Sequence, residues 1–178
     1  ISMMVPRGDV EWLDANLTVA QALHEVRASS GKGAHSWYPV CRDSLDNVVG
    51  LVGVAQLLDV VRNFMLFMQA GGQTIKTVCR YQQYRAVNRA ITRLKTGQTR
   101  LENGESDQRG GIVWHTQGSG KSYSMVFLTE KIHRKISASW SFVVITDRTE
   151  LDDQIASTYT NCGRANSKTD QAKNGAAL

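Results

Sequence analysis

Gly110-Gly111-Ile112-Val113-Trp114-His115-Thr116-Gln117-Gly118-Ser119-Gly120-Lys121-Ser122 runs from an apolar stretch, through a glycine-rich turn, into a segment of helical composition. The apolar part predicts a short buried strand, Gly111 to Trp114, and the segment after the turn a helix from Lys121 to Lys135. Between them lies what a phosphate group needs. Glycines let the backbone turn tightly and aim its N–H groups inward, and a helix N-terminus stands behind the anion. A lysine meets the β/γ charges, and a hydroxyl is available to Mg2+. Gly118, Gly120, Lys121 and Ser122 supply these parts, with Thr116, Gln117 and Ser119 completing the turn. The strict spacing G-x-x-x-x-G-K-[ST] fails at its first position, where His115 stands. Phe142-Val143-Val144-Ile145 predicts a second buried strand, so strand, loop, helix and strand make a βαβ unit of a parallel sheet.

Upstream, Gln82 to Lys95 has the period of an amphipathic helix. Tyr84, Val87, Ile91 and Leu94 fall on one face, and Arg85, Arg89 and Arg93 recur every four residues on the other, as a solvated surface would. Thr96 to Arg109 is a polar loop. Residues 55–70 read as one largely apolar helix stopped at Gly71-Gly72.

The first third of the chain has a different texture. Val10 to Leu13 predicts a strand after a Pro6-Arg7-Gly8 turn, and Thr18 caps a helix carrying Val19, Leu23 and Val26 to about Ser29. After a loop at Ser30 to Gly33, Trp37 to Cys41 and Val48 to Val54 read as strands on either side of an Asp43-to-Asn47 turn. A helix follows from Ala55. The order is β-α-β-β-α.

Composition and charge agree with two modules. The chain has 178 residues, 42% hydrophobic and 21% charged, with a net charge of +5. Residues 1–60 carry four Lys/Arg against seven Asp/Glu, net −3, whereas residues 61–178 carry 17 against nine, net +8. The second part is therefore the one suited to a polyanion. Gln56, Asp59, Arg62 and Asn63 interrupt the longest apolar stretch, which falls short of the roughly 18 residues a membrane span needs. Cys41, Cys79 and Cys162 are an odd number at wide spacing, which disfavours a disulfide framework or zinc cluster. No signal peptide is visible, so a cytoplasmic chain with no membrane contact of its own, cut from something longer, is the expectation.

Residues 1–61 closely resemble a CBS domain of the hemolysin-like and magnesium/cobalt-efflux transporter proteins. The matching residues are Met4-Val5-Pro6-Arg7, Trp12-Leu13-Asp14 with Thr18, Ser36 to Cys41, Ser44 to Gly50, and Leu57-Leu58-Asp59. The resemblance implies a regulatory module whose paired copies hold adenine nucleotides. Where nucleotide-holding copies place a Thr/Ser and an Asp, this sequence has Gly53 and Gln56, so a structural or dimerising unit is expected. A homodimer, or pairing with a second CBS copy, would cover the face that a lone module leaves open.

Residues from about 63 to 165 look like the motor region of the R subunit of type I restriction-modification enzymes, which is helicase-like and of superfamily 2. Three runs in order carry this: Arg80 to Asn88, Gly110 to Ser122, and Val144 to Gln154. The looser GxGK[ST] core of that superfamily accommodates His115. The resemblance implies an α/β chain in which the CBS-like module, 1–61, is followed by part of a RecA-like parallel-sheet P-loop domain, 62–178. It implies ATP and Mg2+ held by Lys121 and Ser122, with Lys121 the catalytic residue. Gln83 would bond the adenine edge, Gln82 being the second candidate. Arg148 would lie near the DNA backbone, unless it is held in an ion pair with Asp152.

The parent would be an ATP-dependent type I site-specific deoxyribonuclease. It would pump double-stranded DNA while working with methylation and specificity subunits. No DEAH-type carboxylate motif, second RecA-like lobe or nuclease carboxylate cluster is visible. The polar run Ala165 to Leu178 carries no visible site. The expectation is thus a fragment with weak nucleotide binding and no turnover. The other reading is a CBS regulatory module that binds an adenine nucleotide, or mediates dimerisation, in a transporter-associated protein.

Overall fold

The computed structural model of the chain describes residues 9–29, 35–136 and 139–165. The Pro6-Arg7-Gly8 turn, the Met4-to-Arg7 match, the Ser30-to-Gly33 loop and residues 166–178 lie outside the described residues. The chain divides into two compact units, Ile1–Arg62 and Asn63–Leu178.

In the first unit the elements are β1 (Leu13–Asp14), α1 (Val19–Ser29), β2 (Trp37–Cys41), β3 (Val48–Gly53) and α2 (Val54–Asn63). This is the expected β-α-β-β-α order, with β1 shorter than the predicted Val10 to Leu13. β1 pairs parallel with β2, Leu13 opposite Val40, and β2 pairs antiparallel with β3, Tyr38 opposite Val52. The helix starts where Thr18 and Gln21 cap each other reciprocally. Thr18 N–H donates to Gln21 Oε1 at 2.9 Å, and Gln21 N–H to Thr18 Oγ1 at 3.3 Å. The core is Leu13, Ala22, Leu23, Val26, Tyr38 and Leu57, with Val52 and Val54 packed against it. Trp37 of β2 and Val48, Val49 and Leu51 of β3 stay exposed, so the sheet is covered on one side only and the start of β3 is open.

The second unit opens with a hairpin, which corrects the helix expected over 55–70. α2 stops at Asn63, and β4 (Met65–Ala70) and β5 (Gln73–Val78) pair antiparallel, with Ala70 opposite Gln73. Gly71 and Gly72, at φ +58° and +77°, form the two-residue turn. A turn with left-handed backbone at both positions matches the twist of the flanking strands, and two glycines provide it without steric cost.

Among the described residues four helices follow: α3 (Tyr81–Thr96), α4 (Arg100–Asn103), α5 (Lys121–Lys135) and α6 (Thr149–Asn161). α3 buries Gln83, Val87 and Ile91, one residue per turn, along a seam against α5. Phe64 is fully buried, with its ring centroid 4.8 Å from Tyr84 and 5.6 Å from Phe127. This cluster ties the hairpin entrance to both helices.

The α/β class holds over the chain, but two expected strands do not form. Among the described residues neither Gly111 to Trp114 nor Phe142 to Ile145 pairs into a sheet, and Ile112, Trp114 and Ile145 are 93%, 90% and 86% exposed. A parallel strand is stable only with ladder partners beside it and helices over its faces. The helix α5 that the two runs flank is formed regardless. No helix among the described residues is long and apolar enough to cross a membrane.

Candidate functional site

The candidate turn lies directly before α5. Gly120 is the N-cap of that helix at φ +79°, ψ 40°, and Gly118 is also left-handed at φ +75°. α5 then begins at Lys121, so its first N–H groups have no intrahelical acceptor and face the turn. This is the arrangement that binds anions at helix N-termini.

The Lys121 ammonium is folded back over the turn. Its Nζ donates to the carbonyls of His115 at 3.1 Å and Thr116 at 3.0 Å. The positive charge is thus held at the loop that precedes it. A recess of about 390 Å3 is lined by Arg80, Gln82, His115, Gln117, Gly118 and Ser119, together with Trp114 and Thr116. Within this stretch Ser119 Oγ and His115 Nδ1 are buried with no hydrogen-bond partner. A buried polar atom left unpaired costs about 1–3 kcal/mol, so the turn holds unmet hydrogen-bonding capacity beside its lysine. Ser122 is the second residue of α5 and is half-buried. These features fit the tail of a nucleoside triphosphate: an ammonium, helix N–H groups, hydroxyls, and a concave turn that glycine adopts without strain.

Gln83 makes two contacts that its sequence position did not announce. It is 5% exposed, and both ends of its amide are engaged. Oε1 accepts from Arg80 N–H at 2.7 Å and Nε2 donates to the Gly120 carbonyl at 2.9 Å. Gln82 is exposed and lines the recess. The amide type was readable from sequence, but its use as a brace between α3 and the turn was not.

A second brace lies deeper. Lys131, on α5 and 5% exposed, donates to Asn88 Oδ1 at 2.6 Å, and its Nζ sits 4.7 Å from the Phe64 ring centroid. A buried ammonium is tolerated only where hydrogen bonds and aromatic faces replace its water. Sequence reasoning missed Lys131. The one signal was its i, i+4 relation to Phe127 on the apolar side of α5.

Arg148 is the N-cap of α6 and exposed; its Nε lies 3.9 Å from Asp147 Oδ2, so its ion pair goes to that neighbour and not to Asp152. In the first unit Gln56 Oε1 accepts from Gly53 N–H at 3.1 Å, so the amide standing where a ribose-holding carboxylate would be is used locally. Among the described residues no group of three or more His, Cys, Asp or Glu gathers that could hold a metal.

A family model described as SWI2/SNF2 ATPase matches residues 82–178. A type I restriction enzyme HindI endonuclease subunit from Haemophilus influenzae is 40% identical over 122 residues, which is 67% of this chain and 11% of that protein. The UPF0053 inner membrane protein YoaE of Escherichia coli is 43% identical over 56 residues, 32% of this chain and 10% of that one. A CBS domain protein from Shewanella oneidensis has a solved structure that is 41% identical, covering 32% of this chain and 42% of its own, at a TM-score of 0.28. The chain spans about a tenth of the length of these two curated relatives.

Proposed function

Since the chain belongs to the SWI2/SNF2 ATPase family, we propose that residues 62–178 are the ATP-binding beginning of the motor in a type I restriction enzyme's endonuclease subunit. Its substrate would be double-stranded DNA and its partners the methylation and specificity subunits. The observation that carries this reading is the Lys121 ammonium resting on the His115 and Thr116 carbonyls beside two unpaired buried polar atoms.

Lys121 would exchange those carbonyl contacts for the β/γ oxygens of ATP, lowering the charge that builds up on them as the terminal phosphoryl group leaves. Gly118, Ser119 and Gly120 would turn N–H groups toward the same oxygens, with Thr116 and Gln117 forming the wall. The Ser122 hydroxyl would hold Mg2+. Bound there, the ion would supply charge neutralisation for the triphosphate. Gln83 fixes the Gly120 carbonyl and retains one N–H and one lone pair suited to an adenine edge, with Gln82 exposed at the recess.

For residues 1–61 we propose a structural or dimerising CBS unit. The exposed Trp37, Val49 and Leu51 give it an apolar face to pair, and the local bond of Gln56 to Gly53 argues against a ribose-holding role. Isothermal titration of the chain with MgATP tests the assignment. Saturable binding that Lys121→Ala abolishes is expected. Binding that survives Lys121→Ala would move the nucleotide to the CBS unit and overturn it.

A further inference from the structure

α3 carries a row of arginines that the nucleotide site does not use. Arg85, Arg89 and Arg93 lie at i, i+4 and i+8 on its exposed side, two positions round from the buried Gln83, Val87 and Ile91. With Lys95 the helix holds four basic residues and no acidic one, half of the net +8 of residues 61–178. Among the described residues neither Arg85 nor Arg89 has an ion-pair partner. Arg93 donates its Nε to the Gln108 carbonyl at 2.9 Å, and among the described residues the end of its fork has no bond.

A merely solvated face would be built otherwise. Like charges four apart destabilise a helix by roughly 0.2–0.5 kcal/mol per pair, and surface helices relieve this by interleaving Glu with Lys or Arg. The protein does this on α5, where Arg134 bonds Glu130 at 3.0 Å. On α3 the repulsion is left standing. Successive arginines are about 6 Å apart along the axis, so the row extends about 12 Å. Duplex DNA presents a phosphate about every 3.4 Å along each strand, and the guanidinium fork matches phosphate oxygens in pairs.

We propose that the exposed face of α3 is a duplex-DNA backbone contact made by Arg85, Arg89 and Arg93. It rests on the reading of the chain as part of a DNA motor, and it adds a surface separate from the phosphate turn and from Arg148. The contact reads charge and spacing, not base sequence.

The test is fluorescence anisotropy of a labelled short duplex with the full chain across a salt series. The logarithm of affinity is expected to fall linearly with that of salt concentration. Arg85→Gln with Arg89→Gln should reduce the slope by about 2, at about 0.9 per phosphate contact, for any duplex sequence. Lys95→Gln with Lys135→Gln removes the same charge off the row and should leave the slope near wild type. Arg85→Lys with Arg89→Lys, which keeps the charge, should retain it even if the Gln pair loses helicity. MgATP titration of the Gln pair should be unchanged, which separates failure here from failure of the nucleotide site. The proposal is overturned by no duplex binding, by an unaltered slope, or by equal loss in the off-row control. Polyglutamate competing as well as duplex at equal charge would also overturn it.

Discussion

Gln83 and Gly120, 37 residues apart, are joined by a hydrogen bond of 2.9 Å from the side-chain Nε2 to the backbone carbonyl. The same amide accepts from Arg80 N–H at 2.7 Å. One buried side chain therefore sets the start of α3 against the cap of α5. The glycine turn before α5 takes its position from this brace as well as from its own glycines.

A methyl group at Gly120 would meet Gln83 Nε2 at 2.7 Å, while one at Gly118 would meet nothing within 4 Å. Both glycines are left-handed, so alanine at either should cost about 1–2 kcal/mol in backbone strain. Gly120→Ala should cost more than Gly118→Ala, because relieving the clash breaks both bonds of a buried amide. Adding Gln83→Ala to Gly120→Ala should recover part of the difference. Urea denaturation midpoints check the order. Equal losses at the two glycines would contradict the brace.

Lys131 and Asn88 couple the same two helices further along, through a bond of 2.6 Å. Lys131→Met and Asn88→Leu should each destabilise the chain by about 1 kcal/mol or more, since each removes one side of a charge-assisted hydrogen bond that joins the two helices. Together they should cost less than the sum, by about 1 kcal/mol or more. Strict additivity in a double-mutant cycle would show that the pair is incidental.

Asp107 is held at about 2, well below its ordinary 3.8, first by the side-chain bonds of Arg109 and then by the Arg109 backbone N–H. A carboxyl depressed on folding contributes stability that is fully present above its unfolded value and lost as pH falls through the folded one. The contribution of this loop bond should therefore be complete above pH 3.8 and fade toward pH 2. An NMR titration of the Asp107 carboxyl should show the low midpoint, and Arg109→Gln should return it toward 3.8. A wild-type midpoint at the ordinary value would refute the bond.

Much of this architecture could be read before any coordinates. Thr18 announced the start of α1, the Val87 and Ile91 spacing gave the buried side of α3, and the glycines before Lys121 marked where α5 begins. Met65 to Ala70 reads as helix from sequence because a short apolar run adjoining a helix has no period of its own, and Gly71-Gly72 is a hairpin turn and not a helix stop. α6 went unassigned, although Leu151 and Ile155 are one turn apart with Glu150 and Asp152 at the N-terminal end. Gly111 to Trp114 and Phe142 to Ile145 show the opposite error. Apolarity says that a run seeks cover, but not which strand provides it. At the site, residue type points to Gln83, and only the fold reveals that its amide also bridges Arg80 and Gly120.

Amide NMR of the chain titrated with MgATP tests the central claim most directly. The N–H signals of Gly118, Ser119, Gly120, Lys121 and Ser122 should shift together and saturate, with no matching change at Gly53 or Gln56. Saturating shifts confined to the CBS-like unit, or none in the turn, would contradict the account.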